Sequence, residues 1–564
     1  MAKKTNTNNF FKEKWESFKL AIDRYRYVNM KIVFAIVIAI TVIALVIAFY
    51  FALMPINFYH DGFRFFIGFM LILWSVPFLF FKSKYGVQDR PLKKNPWSIP
   101  LLLGVAFIVV NILVAIITSP LFMATDYRKL ITVHDNQTFT SHVQNYDQMQ
   151  IPVVDKGLAQ KLGDKKLGED NYGSQYNVGD YYMIHHENNL YWIAPIEYNG
   201  FFEWANRGTS PGYVMINAVD QSDVRIIKQE LKYVDSAFLW DDLNRNNYFK
   251  NMFAWRADEA HLELTDEGEP RFVETVYVNK IGYSAGKDVA GVIVTNPITG
   301  DCQYYDYLDA PTWINHIMTE EIITEQLSNW GNYVHGFFNS VFAKQDVLEV
   351  STGINYILSN GNMYLQTGMT SVGSDESIVG VMMVDMRTKV AEFCRIGGAT
   401  EYAAAQSAIG KDQEKRYSAS DPIMINLDGT PTYFIMLKDD EGLVKRYAYV
   451  NVNDYRLVAT AETQASALIE YKKLIQNDSA DNYEQHTITN IKQVTINGNT
   501  VYYIKLNALE GAPEDFADRV FSAPITINPA LPFLEVGDTV YIKYDFNNGV
   551  YEISSLSTTD PHLE

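Results

Sequence analysis

The chain has 564 residues, 48% of them hydrophobic, a formal net charge of -19 and two cysteines. That length allows several folded units. Cys302 and Cys394 are too few for a disulfide-knit scaffold, which leaves one bridge or two isolated thiols open. The acidity is uneven: residues 124–564 carry 61 acids against 33 bases, a surface that repels phosphate backbones and argues against nucleic acid as a partner.

The first apolar run is Ile32 to Met54, 23 residues with Thr41 as the polar member. As a helix rising about 1.5 Å per residue, it spans a hydrocarbon core of about 30 Å. Phe65 to Phe81 is shorter, 17 residues with Pro77 inside, at the lower limit of spanning length. Ile99 to Met123 is the third run, containing Gly104 and Asn111 and closing near Ser119-Pro120. Gly and Pro are tolerated there because neighbouring helices can satisfy the backbone. Three transmembrane helices are therefore expected over residues 32–123, and the membrane is the first expected partner.

Charge orients them. Met1 to Lys31 has eight Lys/Arg against three acids, and the loop 82–98 has five (Lys82, Lys84, Arg90, Lys93, Lys94) against Asp89. Both belong inside by the positive-inside rule, whereas the weakly charged loop 55–64, with Phe58, Tyr59 and Phe63 suited to an interfacial belt, belongs outside. Everything after about Ala124 then lies outside. The first run is too long for a signal peptide and no small-residue cleavage site follows, so it reads as a retained anchor. An exported region this large with so little cysteine suits a single-membrane bacterium, and the expected location is the bacterial cell membrane, multi-pass, N-terminus cytoplasmic.

The outer chain alternates short strands, turns and a few helices. Strands are predicted at Phe272–Ile281, Gly291–Asn296 and Gln303–Tyr307, the last after the turn Thr299-Gly300-Asp301. Gly291 to Gly300 is echoed by Gly380 to Lys389, and each leads into a second strand and a helix, at Pro311–Leu327 and at Thr400–Ile409 with Thr400 as N-cap and Gly410 as the stop. A looser third version runs Thr432–Leu437, the turn Asp439-Asp440-Glu441-Gly442, Leu443–Asn451 and a helix Thr463–Ile475. The pattern predicts a run of α+β modules, not a doubly wound parallel sheet.

These units, over about 272–475, resemble PepSY-type extracytoplasmic modules, on the turns Thr295-Asn296-Pro297-Ile298-Thr299-Gly300 and Val384-Asp385-Met386-Arg387-Thr388-Lys389, the second of which lacks the expected Gly. The resemblance implies a small antiparallel sheet packed on a helix. Tyr417 to Asn426, followed by Pro431 to Phe434 and Gly442 to Lys445, is similar to a family of bacterial membrane proteins of unassigned biochemistry.

The last part differs. His486–Val494, the turn Asn497-Gly498, Val501–Leu506, a loop with Pro513 and Pro524, Val536-Gly537-Asp538-Thr539-Val540-Tyr541-Ile542 and Val550–Leu556 give four or five strands, as in a small OB-like or SH3-like barrel. Such a barrel selects no function, and no basic stacking groove is evident. The expected layout is a basic tail (1–31), a three-helix anchor (32–123), a first α+β region (124–270), PepSY-like modules (271–480) and the barrel (481–564).

Candidate chemistry is sparse. Gly282-Tyr283-Ser284-Ala285-Gly286 matches a nucleophile elbow, but a β-run follows instead of a helix, so Ser284 is expected in a hairpin turn. His185-His186-Glu187 suits zinc in residue type only, because adjacent strand residues face opposite ways. Asp242 to Asn246 begins like a calcium loop, yet Asn247 replaces the Gly and Phe253 the bidentate Glu, which leaves a polar turn. His316 and His335, beside Trp313, Trp330 and Tyr333, are accounted for by aromatic packing. No Walker loop, dinucleotide fingerprint or Cys-x-x-Cys is present, so no cofactor, no metal and no catalytic residue is expected.

One aromatic stretch stands apart. Leu190–Tyr198 and Gly212–Val219 read as a hairpin with Tyr198 and Tyr213 as cross-strand neighbours. Its loop sets Phe201, Phe202 and Trp204 where a solitary domain seldom leaves apolar side chains in water. Burial against a neighbouring module is the bland account, and a subunit or membrane-surface contact is the functional one, so these three are the interface candidates. The sequence thus predicts a non-enzymatic, membrane-anchored extracytoplasmic scaffold, self-assembling as a homo-oligomer and meeting an envelope protein or polymer. The alternatives are a cell-wall or sugar binder and an envelope hydrolase.

Overall fold

The computed structural model describes residues 27–28, 30–80, 82–83, 98–137, 139, 143 and 151–560, apart from 258, 360, 373–376, 479–482, 497–498, 510–515, 526, 529 and 548–549. The basic tail up to residue 26, most of the basic loop 82–98, the Asn497-Gly498 turn and the Pro513 loop lie outside the described residues. The chain divides into two compact units, 1–402 with 423–431, and 403–422 with 432–564.

Unit one opens with apolar helices. α1 (Met30–Val46) widens into a π-turn at Ile47–Phe51, α2 covers Asp61–Phe80 and α3 covers Ser98–Ile117. Among the described residues, Lys31–Phe51 and Ser98–Ile117 are long and apolar enough to cross a membrane. α2 and α3 touch through small residues: a Cβ on Gly68 would lie 2.6 Å from Ile108, and one on Gly104 would lie 3.0 Å from Leu71. Glycine at these positions lets the two helix backbones approach closely. Thr41 Oγ1 donates to Val37 O and Asn111 Nδ2 to Phe107 O within their own helices, both at 2.8 Å. Tyr27–Val28 pairs in parallel with Lys82–Ser83, which joins the start of α1 to the end of α2.

Beyond α3, α4 (Pro120–Arg128) leads into β1 (Thr132–Gln137). The first sheet has α5 (Lys156–Glu169) beside it, with Asp155 as N-cap accepting from Leu158 N. It holds β2 (Tyr176–Val178), β3 (Tyr182–His186), β4 (Asn189–Tyr198), β5 (Ser210–Asn217) and β6 (Val224–Leu231), with α6 (Phe201–Arg207) set between β4 and β5. The expected hairpin is present, but Tyr213 faces Pro195, and Tyr198 pairs with Tyr176 of β2. Three residues of β4 beyond Pro195 thus bond to β2 and leave β5, so the two tyrosines are not neighbours across the strands.

α7 (Leu243–Lys250) precedes the second sheet of β7 (Trp255–Arg256), β8 (His261–Leu264), β9 (Pro270–Ile281), β10 (Ala285–Thr295) and β11 (Cys302–Asp306). The third sheet runs β12 (Leu348–Ser359), β13 (Asn362–Ser371), β14 (Ser377–Asp385), β15 (Val390–Ala399), with β1 added in parallel at its edge. α8 (Glu320–Asn332) lies against it, Trp330 meeting Phe393 at 5.6 Å. This helix starts nine residues later than its sequence pattern suggests, at Glu320 and not Pro311. Ile317 N and Met318 N are taken by Met386 O, at 3.1 and 2.9 Å, and Thr319 then caps the helix through Ile322 N. At the turn after β14, Lys389 holds φ +62 where Gly300 holds φ +77 in the turn after β10, so a lysine fills the left-handed position expected of glycine.

α9 (Glu401–Lys411) runs straight through Gly410, the expected stop. Unit two then builds a sheet from β16 (Ser418–Ala419), β18 (Thr430–Lys438), β19 (Val444–Asn451) and β20 (Val458–Ala461), while β17 (Ile423–Leu427) belongs to unit one. α10 (Gln464–Asp478) covers the sheet, with Tyr471 stacked on Tyr449 at 5.8 Å and its hydroxyl 2.9 Å from Thr432 Oγ1. The expected closed barrel follows, in the order β21 (Glu484–Ile496), β22 (Asn499–Leu506), β23 (Phe521–Pro524), β25 (Val550–Ser557), β24 (Thr539–Asn547). Its interior is apolar, with Ile504, Leu506, Phe521, Val540 and Ile542 fully buried. Gly537, at φ +104, donates its N–H to Ile488 O and helps close it. The molecule is therefore a mixed α+β protein with two apolar helices of spanning length in its first 120 residues and a five-stranded barrel at the other end.

Candidate functional site

The loop between α1 and α2 does not stand free. Tyr248 Oη donates to Met54 O at 2.8 Å, Ile56 N to Met252 O at 2.8 Å, and Asn279 Nδ2 to Tyr59 O at 2.9 Å. Arg64, 3% exposed, donates to Phe58 O and Tyr283 O, pairs with Asp61 and lies over the Tyr283 ring at 4.9 Å. Ser284 is in the hairpin turn between β9 and β10 as expected, and its Oγ lies 3.1 Å from Thr118 Oγ1, just past α3. The helix ends and the second sheet thus form one packed junction, and the hydrogen-bond neighbour of the serine there is Thr118.

The remaining motifs resolve locally. His185 and His186 end β3 before a turn with Glu187 at φ +49 and Asn188 at φ +63, and both imidazoles are half-buried. Asp242 is not in a free polar turn: it is the N-cap of α7 and accepts from Arg245 N at 2.7 Å. Short capping side chains resemble metal-loop residues in sequence, and only the following helix tells them apart. His335 is exposed and pairs with Asp346 at 2.9 Å, so the expected aromatic packing does not hold there. Cys302 and Cys394 are both free thiols.

His316 is packed against Tyr182, His261 and Tyr356, though outside any helix, and it belongs to a buried network that sequence reasoning missed. At its centre is Glu263, fully buried, which accepts from Asn315 N (2.7 Å), Asn315 Nδ2 (2.8 Å) and His316 N (2.8 Å) and lies 3.0 Å from His261 Nε2. His316 Nε2 is 2.6 Å from Met183 O, so that nitrogen carries the proton and donates. Burial alone would raise the Glu263 pKa, but the His261 bond and charge, His316 and the Asn315 N–H outweigh it, and the net shift is downward. The network ties β3, β8 and the segment before α8 together. Its sequence signal was His261-Leu262-Glu263, two polar residues on one strand face flanked by leucines.

His261 also lines a cavity of about 670 Å³ between α5, β2, β3, β4 and the segments 235–244 and 259–262. Five carboxylates line it, Asp164, Asp180, Glu197, Asp235 and Glu259, and none of the described lining residues is Lys or Arg. Burial, then Asp180 and Glu259, pushes Glu197 up to about 7. Burial, then Glu197, raises Asp235 well above the carboxylate range, although Asn244 Nδ2 donates to it at 3.2 Å. Gly179 makes room for Glu197: a Cβ there would come within 2.8 Å of Oε1. Tyr182 lies 5.0 Å from the His261 ring, and burial, then Glu259, holds its hydroxyl at about 12. Such a pocket can share protons among carboxylates near neutral pH and can receive hydroxyl or amine groups. Among the described residues, no group of three His, Cys, Asp or Glu side chains is arranged to hold a metal ion.

The predicted interface residues lie on α6, a seven-residue helix between Gly200 and Gly208 (φ +136 and +73), where an open loop was expected. Phe201 is 46% and Phe202 75% exposed, while Trp204 is half-buried against Phe238 at 5.7 Å. The helix brings the three to one side, with Phe201 touching both of the others.

No family model matches the chain, and no curated protein matches it. Among solved structures it is similar to a levansucrase mutant of B. megaterium, at 12% identity and a TM-score of 0.19, over 73% of this chain and 92% of that one. It is also similar to an exo-1,5-alpha-L-arabinanase from a bovine ruminal metagenomic library, at 9% identity and a TM-score of 0.15, over 67% and 97%. Scores this low carry no argument about this chain.

Proposed function

We propose that the chain is a bacterial multi-pass membrane protein in which α2 completes a three-helix anchor, and that it serves as a non-enzymatic binding scaffold on the outer face of the cell membrane. In this reading the sheet-and-helix units are PepSY-like modules and the barrel is OB- or SH3-like. The protein self-assembles and meets an envelope protein or polymer there. The observation that supports it is the junction of Met54, Tyr59, Arg64 and Thr118 with Tyr248, Asn279, Tyr283 and Ser284, a polar mount between the helix ends and the second sheet. The acidic cavity then faces outward as the ligand site, suited to the hydroxyls or amines of a wall polymer. A reporter fused after Tyr127 tests the side: activity only outside is expected, and activity only inside contradicts the reading. Co-sedimentation with purified cell wall, weakened by Glu197→Gln, tests the ligand.

A second reading, an envelope hydrolase, is favoured by Glu197 alone, whose pKa near 7 is that of a general acid at neutral pH. Turnover of wall fragments that disappears in Glu197→Gln and persists in Ser284→Ala would select it over the scaffold.

A further inference from the structure

The exposed aromatic surface that begins on α6 continues to the end of α1. Phe201 meets Phe238 edge-on at 5.3 Å. Two residues further, Trp240 meets Phe249 of α7 at 5.9 Å and Tyr50 at 6.2 Å, and Tyr50 is beside Phe51 in the π-turn that ends the first apolar helix. Phe202, Leu239 and Trp240 are 75, 49 and 66% exposed, and they run on to Phe51 at 67%. Leu239 is held at φ +57, a region bulky side chains rarely adopt. Arg245 fixes it there, donating from Nη1 to Leu239 O at 2.8 Å while its guanidinium lies over Tyr50 at 4.8 Å. A domain surrounded by water gains nothing from a strained backbone that turns a leucine outward.

We propose that α6 and the segment 236–241 dock into the interfacial layer of the same bilayer that α1 crosses, with Phe202, Leu239 and Trp240 among the upper acyl chains. The proposal rests on the anchor reading above. Lipid is the occupant because the patch continues the exposed apolar side of α1, from Val46 and Ile47 through Phe51, so the membrane already reaches that level. Aromatic rings with an arginine beside them suit this depth, where one end of each side chain is apolar and the other wet. The outer region is strongly acidic and gains nothing from anionic headgroups, so the attraction to the bilayer comes from the apolar contact.

The test uses the full chain in phosphatidylcholine nanodiscs, with and without lipid brominated either in the upper acyl chain, to read Trp240, or near the chain end, to read Trp74. Trp74 lies about 13 Å past Phe65 if α2 spans. Tryptophan emission is compared for the wild type, Trp240→Phe and Trp74→Phe, so that each difference isolates one residue. We expect both Trp240 and Trp74 to be quenched, Trp240 by about half or more, as for a ring roughly 5–10 Å below the headgroups. Quenching of Trp74 without Trp240 overturns the docking and leaves the anchor standing. Quenching of Trp240 alone keeps the docking and removes α2 from the membrane, and quenching of neither overturns both. Trp240 emission that resists bromine but changes as the protein-to-lipid ratio is lowered assigns the patch to a second copy and overturns the lipid contact.

Discussion

Glu263, fully buried, and Glu197, half-buried, are on strands of neighbouring sheets, and their carboxyls are driven in opposite directions. Glu263 is the more deeply buried, yet its pKa falls because two backbone N–H groups, an amide and an imidazole point at it. Glu197 faces a cavity lined by other acids and rises to about 7. Donors, not depth, decide whether a carboxylate here is part of the frame or part of a site.

Removing the frame carboxylate should have the largest effect. Glu263→Ala leaves His261, Asn315 and His316 facing an empty buried site, and we expect a loss of about 3–5 kcal/mol by chemical denaturation of the solubilised protein. A loss under about 1 kcal/mol would end the distinction drawn between the two glutamates. Glu197→Gln should do the reverse. Its folded pKa is raised, so the folded state holds its proton after the unfolded chain has released it, and stability falls as pH rises from about 4.5 to about 7. The variant should flatten that slope and be more stable above pH 7 by about 1–3 kcal/mol, read from unfolding midpoints at several pH values.

Smaller changes sharpen the same contrast. Gly179→Ala presses on the Glu197 carboxylate and should cost about 1–2 kcal/mol, with the apparent pKa of Glu197 moved in a titration. Asp242→Ala removes the N-cap of α7 without contacting either glutamate, and a loss of about 1 kcal/mol is expected from thermal scans.

The legible parts of the sequence were those decided locally. Alternation and turn residues placed β4, β9 and four of the barrel strands within a few positions, whereas β23 (Phe521–Pro524) falls where a loop with Pro524 was expected, and apolar run length marked α1 and α3. The start of α8 was not legible, because Met386, about seventy residues away in the chain, takes the N–H groups of Ile317 and Met318. The partner of Tyr198 was hidden for a similar reason, since β2, which comes before β3 in the chain, takes the last three residues of β4. Of the site, Phe201, Phe202 and Trp204 could be picked out because apolar residues among glycines are conspicuous. The acidic cavity could not, because its carboxylates come from α5, β4 and three loops and share no spacing. Overall acidity looked like solubility alone, and only the fold gathers five of those acids around one space.

The central claim is that the second sheet is mounted on the ends of the apolar helices. It is tested most directly by a cross-link at the junction. With Cys302 and Cys394 replaced by serine, the pair Thr118→Cys and Ser284→Cys substitutes two hydroxyl oxygens 3.1 Å apart. We predict that the double variant forms an intramolecular disulfide in intact membranes under mild oxidation, seen as a reducible link between fragments after cleavage in the intervening chain. Two thiols that both react with a small maleimide but never join would show that the helix ends and the second sheet are not held together.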